Sequence, residues 1–221
     1  MATSGETAFS LTARDFVRHA LLDAKVLPAG TEPDATELED CITRLNMMLK
    51  TWASKGAGLW RSTNDTATIT GGVASVLLSP GIREVSDARV VVSAAYHRQL
   101  GKWGRADYQS LPNKTAVGTP SVFYVDRQRD AARLYVWPVP ATDTTLSIDC
   151  DRQIETITDA SETIDVPEEY SEAVMLNLAL RCAPLFGPDL GQVQSMRAME
   201  LEQQLLDDGR PDSYFMAADA Y

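Results

Sequence analysis

Apolar positions recur at helical spacing near both ends of this chain and at alternate positions through its middle. Thr12 and Asp15 can cap a helix whose Ala13, Phe16, Val17, Ala20, Leu21 and Ala24 form one apolar face, ending before Leu27-Pro28-Ala29-Gly30. Asp34 and Glu37 repeat that capping box. Leu38, Cys41, Ile42, Leu45, Met48, Leu49 and Trp52 then follow at i, i+3, i+4, i+7 spacing, with Gly56 the expected residue just past the end. The most apolar stretch is Asp165–Gly187, DVPEEYSEAVMLNLALRCAPLFG. Asp165 with Glu168 predicts a third capping box, Pro167 suits a first turn, and Glu168, Glu169 and Glu172 favour the positive end of a helix. Val174, Met175, Leu176, Leu178, Leu180 and Cys182 cannot share one stripe at 100° per residue. Only Glu169, Asn177 and Arg181, with Ala173 between them, predict a polar line. Such a helix is buried on nearly every side, by its own fold or by another subunit, so Leu176, Leu178 and Leu180 are each expected to be largely buried. Pro184 is expected to stop or kink it. Asp189 and Gln192 then predict a fourth cap, with Leu190, Val193, Met196, Met199, Leu201 and Leu205 facing inward up to about Asp207.

From about Leu59 the period changes to 2. Thr66–Thr70 and Val73–Leu78 flank Gly71-Gly72, a two-residue hairpin signal. Asp87–Tyr96 reads as a strand, Ser121–Asp126 and Arg133–Trp137 as a hairpin, and Thr144–Asp151 as a strand with Leu146, Ile148 and Cys150 on one face. Pro138 and Pro140 argue against the end of Arg133–Trp137 being central in a sheet. The connection Gly101–Pro120 is too long to be plain loop and predicts a short helix around Arg105–Leu111. Helices at both ends with strands between them predict an α+β fold. The expected organisation is a helical bundle from residues 10–58 and 163–207, an antiparallel β-rich insertion at 59–162, and a C-terminal tail at 208–221.

Composition changes this picture little: 221 residues, 44% apolar and 23% charged, suit an ordinary globular chain. The formal charge of −11 argues against nucleic-acid or anionic-membrane binding through the whole surface. Between Arg98 and Arg133, however, seven basic residues outnumber three acidic ones, so that segment is +4 and the remainder −15. Such a segment is a solvated loop region or a contact surface. Cys41, Cys150 and Cys182 lack paired spacing and read as small apolar core residues of a protein made in a reducing cytoplasm. The N-terminus lacks the basic and apolar regions of a signal peptide, and no segment is long enough to span a membrane.

Candidate chemistry is sparse. Phosphate-binding glycine loops and the GxSxG elbow are absent. His19 and His97 are the only histidines, and two histidines with three dispersed cysteines make a poor metal site. Glu168 and Glu169 point about 100° apart on a helix, and Asp149 and Asp151 sit on the polar face of their strand, so neither pair suits acid–base work across one bond. Lys102, Trp103, Arg105 and Tyr108 interleave charge with aromatics, which could grip a backbone and stack a base. The plainer reading is one core tryptophan in a basic loop. In the tail, Tyr214, Phe215, Met216 and Tyr221 place four large apolar groups beyond Gly209–Pro211 and so call for a partner surface.

Four segments carry a resemblance: TRLNMMLKTWASKG (Thr43–Gly56), GTPSVFYVD (Gly118–Asp126), LYVWPVP (Leu134–Pro140) and VPEEYSEAVMLNLALRCAPLFG (Val166–Gly187). In this order and spacing the chain, over about residues 10–207, resembles the head-to-tail adaptor proteins of tailed bacteriophages. Within these it is similar to the tail accessory, or packaged-DNA-stabilisation, proteins of short-tailed phages. The resemblance implies a virion protein of the neck, made in the host cytoplasm, that forms a ring of about twelve copies on the portal protein. Such a ring extends the DNA channel, retains the packaged genome and presents a downstream tail or nozzle protein. It implies no catalytic residue, no metal and no cofactor. DNA would pass without sequence-specific binding, and no membrane would be engaged. On this reading Lys102, Trp103, Arg105, Arg127 and Arg129 contact the portal or a neighbouring subunit. Tyr214, Phe215 and Tyr221 are expected to anchor a tail that orders on the portal. The competing readings are a carboxylate-dependent cell-wall hydrolase of the virion and a neck protein that contacts DNA through the 98–133 segment.

Overall fold

In the computed structural model, residues 9–57, 59–128, 131–187 and 190–208 are described, and they form two compact units. The expected α+β class is borne out. Arg129, residues 1–8 and the tail from 209, with its aromatic residues, lie outside the described residues, as does Asp189 of the fourth predicted cap.

The helical unit comprises residues 1–60 and 154–221. Helix α1, Ala13–Asp23, carries the predicted box: Asp15 N donates to Thr12 Oγ1 at 3.3 Å and Thr12 N to Asp15 Oδ2 at 3.0 Å. Helix α2, Ala35–Ser54, has its own box between Asp34 and Glu37, at 2.8 and 2.9 Å, and Gly56 follows its end at φ 93°. Both bury the predicted faces, from Phe16 to Leu21 and from Leu38 to Trp52. These faces share one core with Val174, Leu178 and Cys182, each of which is fully buried.

The central helix departs from expectation at both ends. Its predicted capping box does not form. Asp165 Oδ2 instead accepts from the Glu155 backbone N–H at 3.2 Å, and Glu168–Tyr170 make a 3-10 turn ahead of the α-helix proper. In the numbering used from here, the short helix of the β unit being α3, that α-helix is α4, Ser171–Phe186. Pro184 does not stop it. Proline here costs only the bond to the Leu180 carbonyl, on an exposed side near the end. The helix closes at Gly187, φ 100°, whose N–H reaches Ala183 O at 3.1 Å. Leu178 is fully buried as expected, while Leu176 and Leu180 are half-buried. Asn177, predicted on a polar line, is 2% exposed.

Asn177 is inside because α5, Gln192–Asp208, packs there. Its Nδ2 donates to Ala198 O at 2.8 Å and to Ala173 O at 3.0 Å. The small side chain of Ala198 permits that approach, and along α5 only Ala198 and Leu205 are buried. Of the positions expected to face inward, Val193, Met196 and Met199 are instead 81%, 64% and 61% exposed. Periodicity identified an apolar stripe, but the core meets the neighbouring face of the helix.

The β unit, Arg61–Gln153, holds two four-stranded sheets. In chain order the strands are β1 Ser62–Ile69, β2 Ser75–Leu77, β3 Ile82–Ser93, β4 Tyr96–Gln99, β5 Gly101–Lys102, β6 Val122–Asp126, β7 Arg133–Trp137 and β8 Thr144–Arg152; α3, Arg105–Gln109, follows β5. One sheet runs β1-β8-β3-β4 and the other β2-β7-β6-β5. Leu146, Ile148 and Cys150 of the first share a core with Phe123, Leu134 and Val136 of the second, so the predicted alternation on β8 holds. The predicted hairpin β6–β7 also holds, with Tyr124 opposite Tyr135. The strand expected from Asp87 starts five residues earlier, at Ile82, because β3 pairs with β8 through two register shifts.

The Gly71-Gly72 hairpin is overturned. β1 pairs with β8 and β2 with β7, so this turn passes the chain from one sheet to the other. Gly72 sits at φ 79°, as a tight turn requires. A Cβ on Gly71 would lie 2.7 Å from Ala141 O, so the β1–β2 and β7–β8 connections touch backbone to backbone. The far end of β7 follows the proline argument: β2 reaches only to Tyr135, and Trp137 pairs with β6 alone.

Candidate interaction surface

Alternation on β6 and β7 sends Phe123, Val125, Leu134 and Val136 into the core and leaves Val122, Tyr124, Tyr135 and Trp137 on the outer face. Short helix α3 lies over that face. It starts where Gly104 N donates to Asp107 Oδ2 at 3.1 Å, and its Tyr108 is buried against the sheet. The Tyr108 ring stands 5.4 Å from Tyr124 and 5.3 Å from Tyr135, which are themselves 5.9 Å apart. Burial raises the titration of Tyr108 and Tyr124 above the ordinary phenol value, so these hydroxyls stay neutral. Beyond them Trp103 stacks on Trp137 at 6.1 Å, and Trp137 Nε1 donates to Asn113 O at 2.9 Å. The aromatic strip these rings make is largely covered: Tyr108 and Tyr124 are buried beneath α3, and Tyr135, Trp103 and Trp137 are half-buried along the outer face.

Cations border it. Lys114 lies 5.6 Å from the Tyr108 ring centroid, close enough for a cation–π contact. Arg105 is exposed at the start of α3 and has no carboxylate partner among the described residues. Lys102 and Arg127 behave differently, because both reach Glu84 Oε1, at 3.4 and 2.6 Å. The predicted set therefore divides. Trp103 and Arg105 belong to the aromatic strip, Lys102 and Arg127 converge on one glutamate, and Arg129 falls outside the described residues. Sequence reading missed Lys114, Tyr124, Tyr135 and Trp137. The alternation in RLYVW already places Tyr135 and Trp137 on one face, but which residues meet them across the sheet depends on pairing.

Two of the carboxylates considered for acid–base work, Asp149 and Glu168, are engaged elsewhere. Asp149 Oδ2 accepts from Arg89 Nη2 at 2.7 Å and its Oδ1 from Asn64 Nδ2 at 2.7 Å, while Asp87 Oδ2 takes Arg89 at 2.8 Å. Glu168 Oε2 accepts the Phe9 N–H. His19 is half-buried on α1 and His97 stands exposed on β4. Burial raises the Cys150 thiol to about 11, with Asp65 adding to the effect, and so keeps it unreactive at neutral pH. No group of residues among those described could hold a metal ion, and no helix among them is long and apolar enough to cross a membrane.

The part of this strip left open, the half-buried Trp103, Tyr135 and Trp137 with Arg105 and Lys114 beside them, combines the aromatic and cationic groups that protein-binding surfaces favour. The class this defines is a structural interaction protein. Residues 11–219 match the family model described as SU10 adaptor protein, and the chain belongs to that family. It is a bacteriophage head-to-tail adaptor protein. No curated protein matches it. Among solved structures it is similar to a chain described as "Neck of empty GTA particle computed with C6 symmetry", at 13% identity, with 90% of this chain and 95% of that one covered and a TM-score of 0.32. A likeness at that level carries no argument about function.

Proposed function

We propose that copies of this chain form a ring of about twelve on the portal protein, extending the DNA channel, helping to retain the genome and presenting the next tail component. Family membership supports the adaptor role, and the observation that carries the docking is the cation-bordered aromatic strip on a chain of net charge −11. Lys102, Trp103, Arg105, Arg127 and Arg129 meet acidic protein surfaces in this reading. The acidic balance suits a channel past which phosphates slide without sticking. The chain acts without catalysis, and its tail, with Tyr214, Phe215 and Tyr221, reaches the portal. DNA gripping is disfavoured by the net charge of −11 over the chain as a whole. Electron microscopy of the full chain mixed with its portal should show a ring stacked beneath the portal ring. A free chain that binds DNA with steep salt dependence would overturn this reading. So would a chain that cleaves peptidoglycan and stops doing so as Glu168→Gln/Glu169→Gln.

A further inference from the structure

The charge of this chain is divided unequally between its two units. By sequence, the β unit has eleven basic and nine acidic residues, and the helical unit nine basic against twenty-two acidic. The β unit is thus +2 and the helical unit −13. On the β unit, the two cations beside the aromatic strip, Arg105 and Lys114, have no carboxylate in ion-pairing range among the described residues. A surface of this kind matches one that is acidic where it is polar and apolar where it is not.

Helix α2 presents such a surface. Glu32, Asp34, Glu37, Glu39 and Asp40 come before its first basic residue, Arg44. Glu32 is paired with Arg18 at 3.0 Å and Asp34 and Glu37 cap each other, which leaves Glu39 and Asp40 exposed and without a cation among the described residues. Seven residues on from Asp40, and so on the same face, Met47 is 62% exposed, with exposed Thr43 between them. The outward line of α2 therefore reads carboxylate, small hydroxyl, thioether. A thioether is well suited to lie against an aromatic ring.

We propose that the outward face of α2 in one copy seats on the β unit of the next, over Arg105, Lys114 and the half-buried edge of the Trp103–Trp137 pair. Glu39 and Asp40 oppose Arg105 and Lys114, and Met47 meets the Trp103–Trp137 pair. The contact is heterologous, since each copy offers a different patch to each neighbour, and a rotation that closes turns it into a ring. This rests on the ring reading above and names the surfaces that make the ring.

Two charge reversals test it; Arg105, Glu39 and Asp40 are exposed and Lys114 is half-buried, so the melting of each variant is compared with that of the parent. Arg105→Glu/Lys114→Glu and Glu39→Lys/Asp40→Lys should each weaken assembly, alone and on the portal, at least tenfold, and more at low salt than at high. An equimolar mixture of the two should recover assembly, because reversed acid then meets reversed base at alternate interfaces. If either reversal fails to fold, Glu39→Gln/Asp40→Gln should still weaken assembly without the recovery. Variants that assemble like the parent, or a mixture that gains nothing over its components, would overturn the pairing while leaving the ring intact. A wild-type chain that makes no copy-to-copy contact, alone or on the portal, would overturn the ring and this pairing with it.

Discussion

Asn177 decides how α5 is held. It is the one buried polar side chain of α4, and its amide N–H groups reach carbonyls on two helices. A buried donor of this kind contributes little in net terms when satisfied and costs more when its partner is left alone. Asn177→Ala should therefore cost about 1–3 kcal/mol in thermal unfolding, from the lost bonds and the cavity. Asn177→Asp should cost more at neutral pH, because it sets an ionised carboxylate against two carbonyl oxygens in a buried site. Burial raises the native pKa of such a carboxyl, so its penalty should be full above that value and fade as pH falls towards the ordinary aspartate range near 4. Equal melting of the two variants at pH 7 would show that the pocket admits water.

At the scale of elements, the start of α1 is held by a clamp with a defined pH response. Its first free N–H groups donate outside the helix, Ala13 to Glu162 O at 2.8 Å and Arg14 to Ala160 O at 2.9 Å. Three carboxylates fix that geometry. Hydrogen bonds from Thr12 hold Asp15 below its ordinary pKa, Ser161 does the same for Asp159, and the Thr158 and Asp159 backbone N–H groups do so for Glu162. Each stabilises the fold above its unfolded value, near 4, and stops doing so as pH falls through its lower native value. Asp23 opposes them, since burial raises its pKa and protonation there favours the native state. Amide exchange at Ala13 and Arg14 should consequently lose protection below about pH 4, and Glu162→Gln should remove part of that pH dependence. Protection unchanged from pH 6 to pH 3 would refute the clamp. The caps of α1 and α2 were legible in sequence because donor and acceptor stand three residues apart. The Asp165–Glu168 signal has the same local form and fails, because Asp165 is engaged by Glu155, whose nearness depends on the fold. Gly71-Gly72 fails for a related reason: the residues specify a turn but not which strands leave it. Tyr135 and Trp137 could be placed on one face by alternation, whereas Tyr108 and Trp103 arrive there only through the β5–β6 pairing and α3.

For the whole molecule, the two hydrophobic clusters draw on separate residues, one built around Phe16, Trp52 and Leu178 and the other around Phe123, Leu134 and Ile148. We propose that residues 1–60 with 154–221, and residues 61–153, are separate cooperative units, each stabilised by burial of its own apolar surface. The three cysteines report on this without any engineered probe. Cys41 and Cys182 belong to the helical core and Cys150 to the β core, and all three are free and fully buried. A hydrogen bond to the Cys182 sulfur, together with burial, raises Cys41, and burial raises Cys150 to about 11. Both effects withhold the thiolate that an alkylating reagent attacks, whereas the hydrogen bond from Cys41 lowers the Cys182 thiol, which is shielded by its complete burial instead. In native buffer at pH 8, iodoacetamide should therefore label none of the three. Across a denaturant series labelling should rise in two steps, a pair of thiols in one and a single thiol in the other. Peptide mapping should assign the pair to Cys41 and Cys182. Which step comes first measures the relative stability of the two cores. Labelling of all three in one transition would show a single cooperative unit and refute the division, and labelling of any thiol before unfolding would show that its core opens locally in the native state.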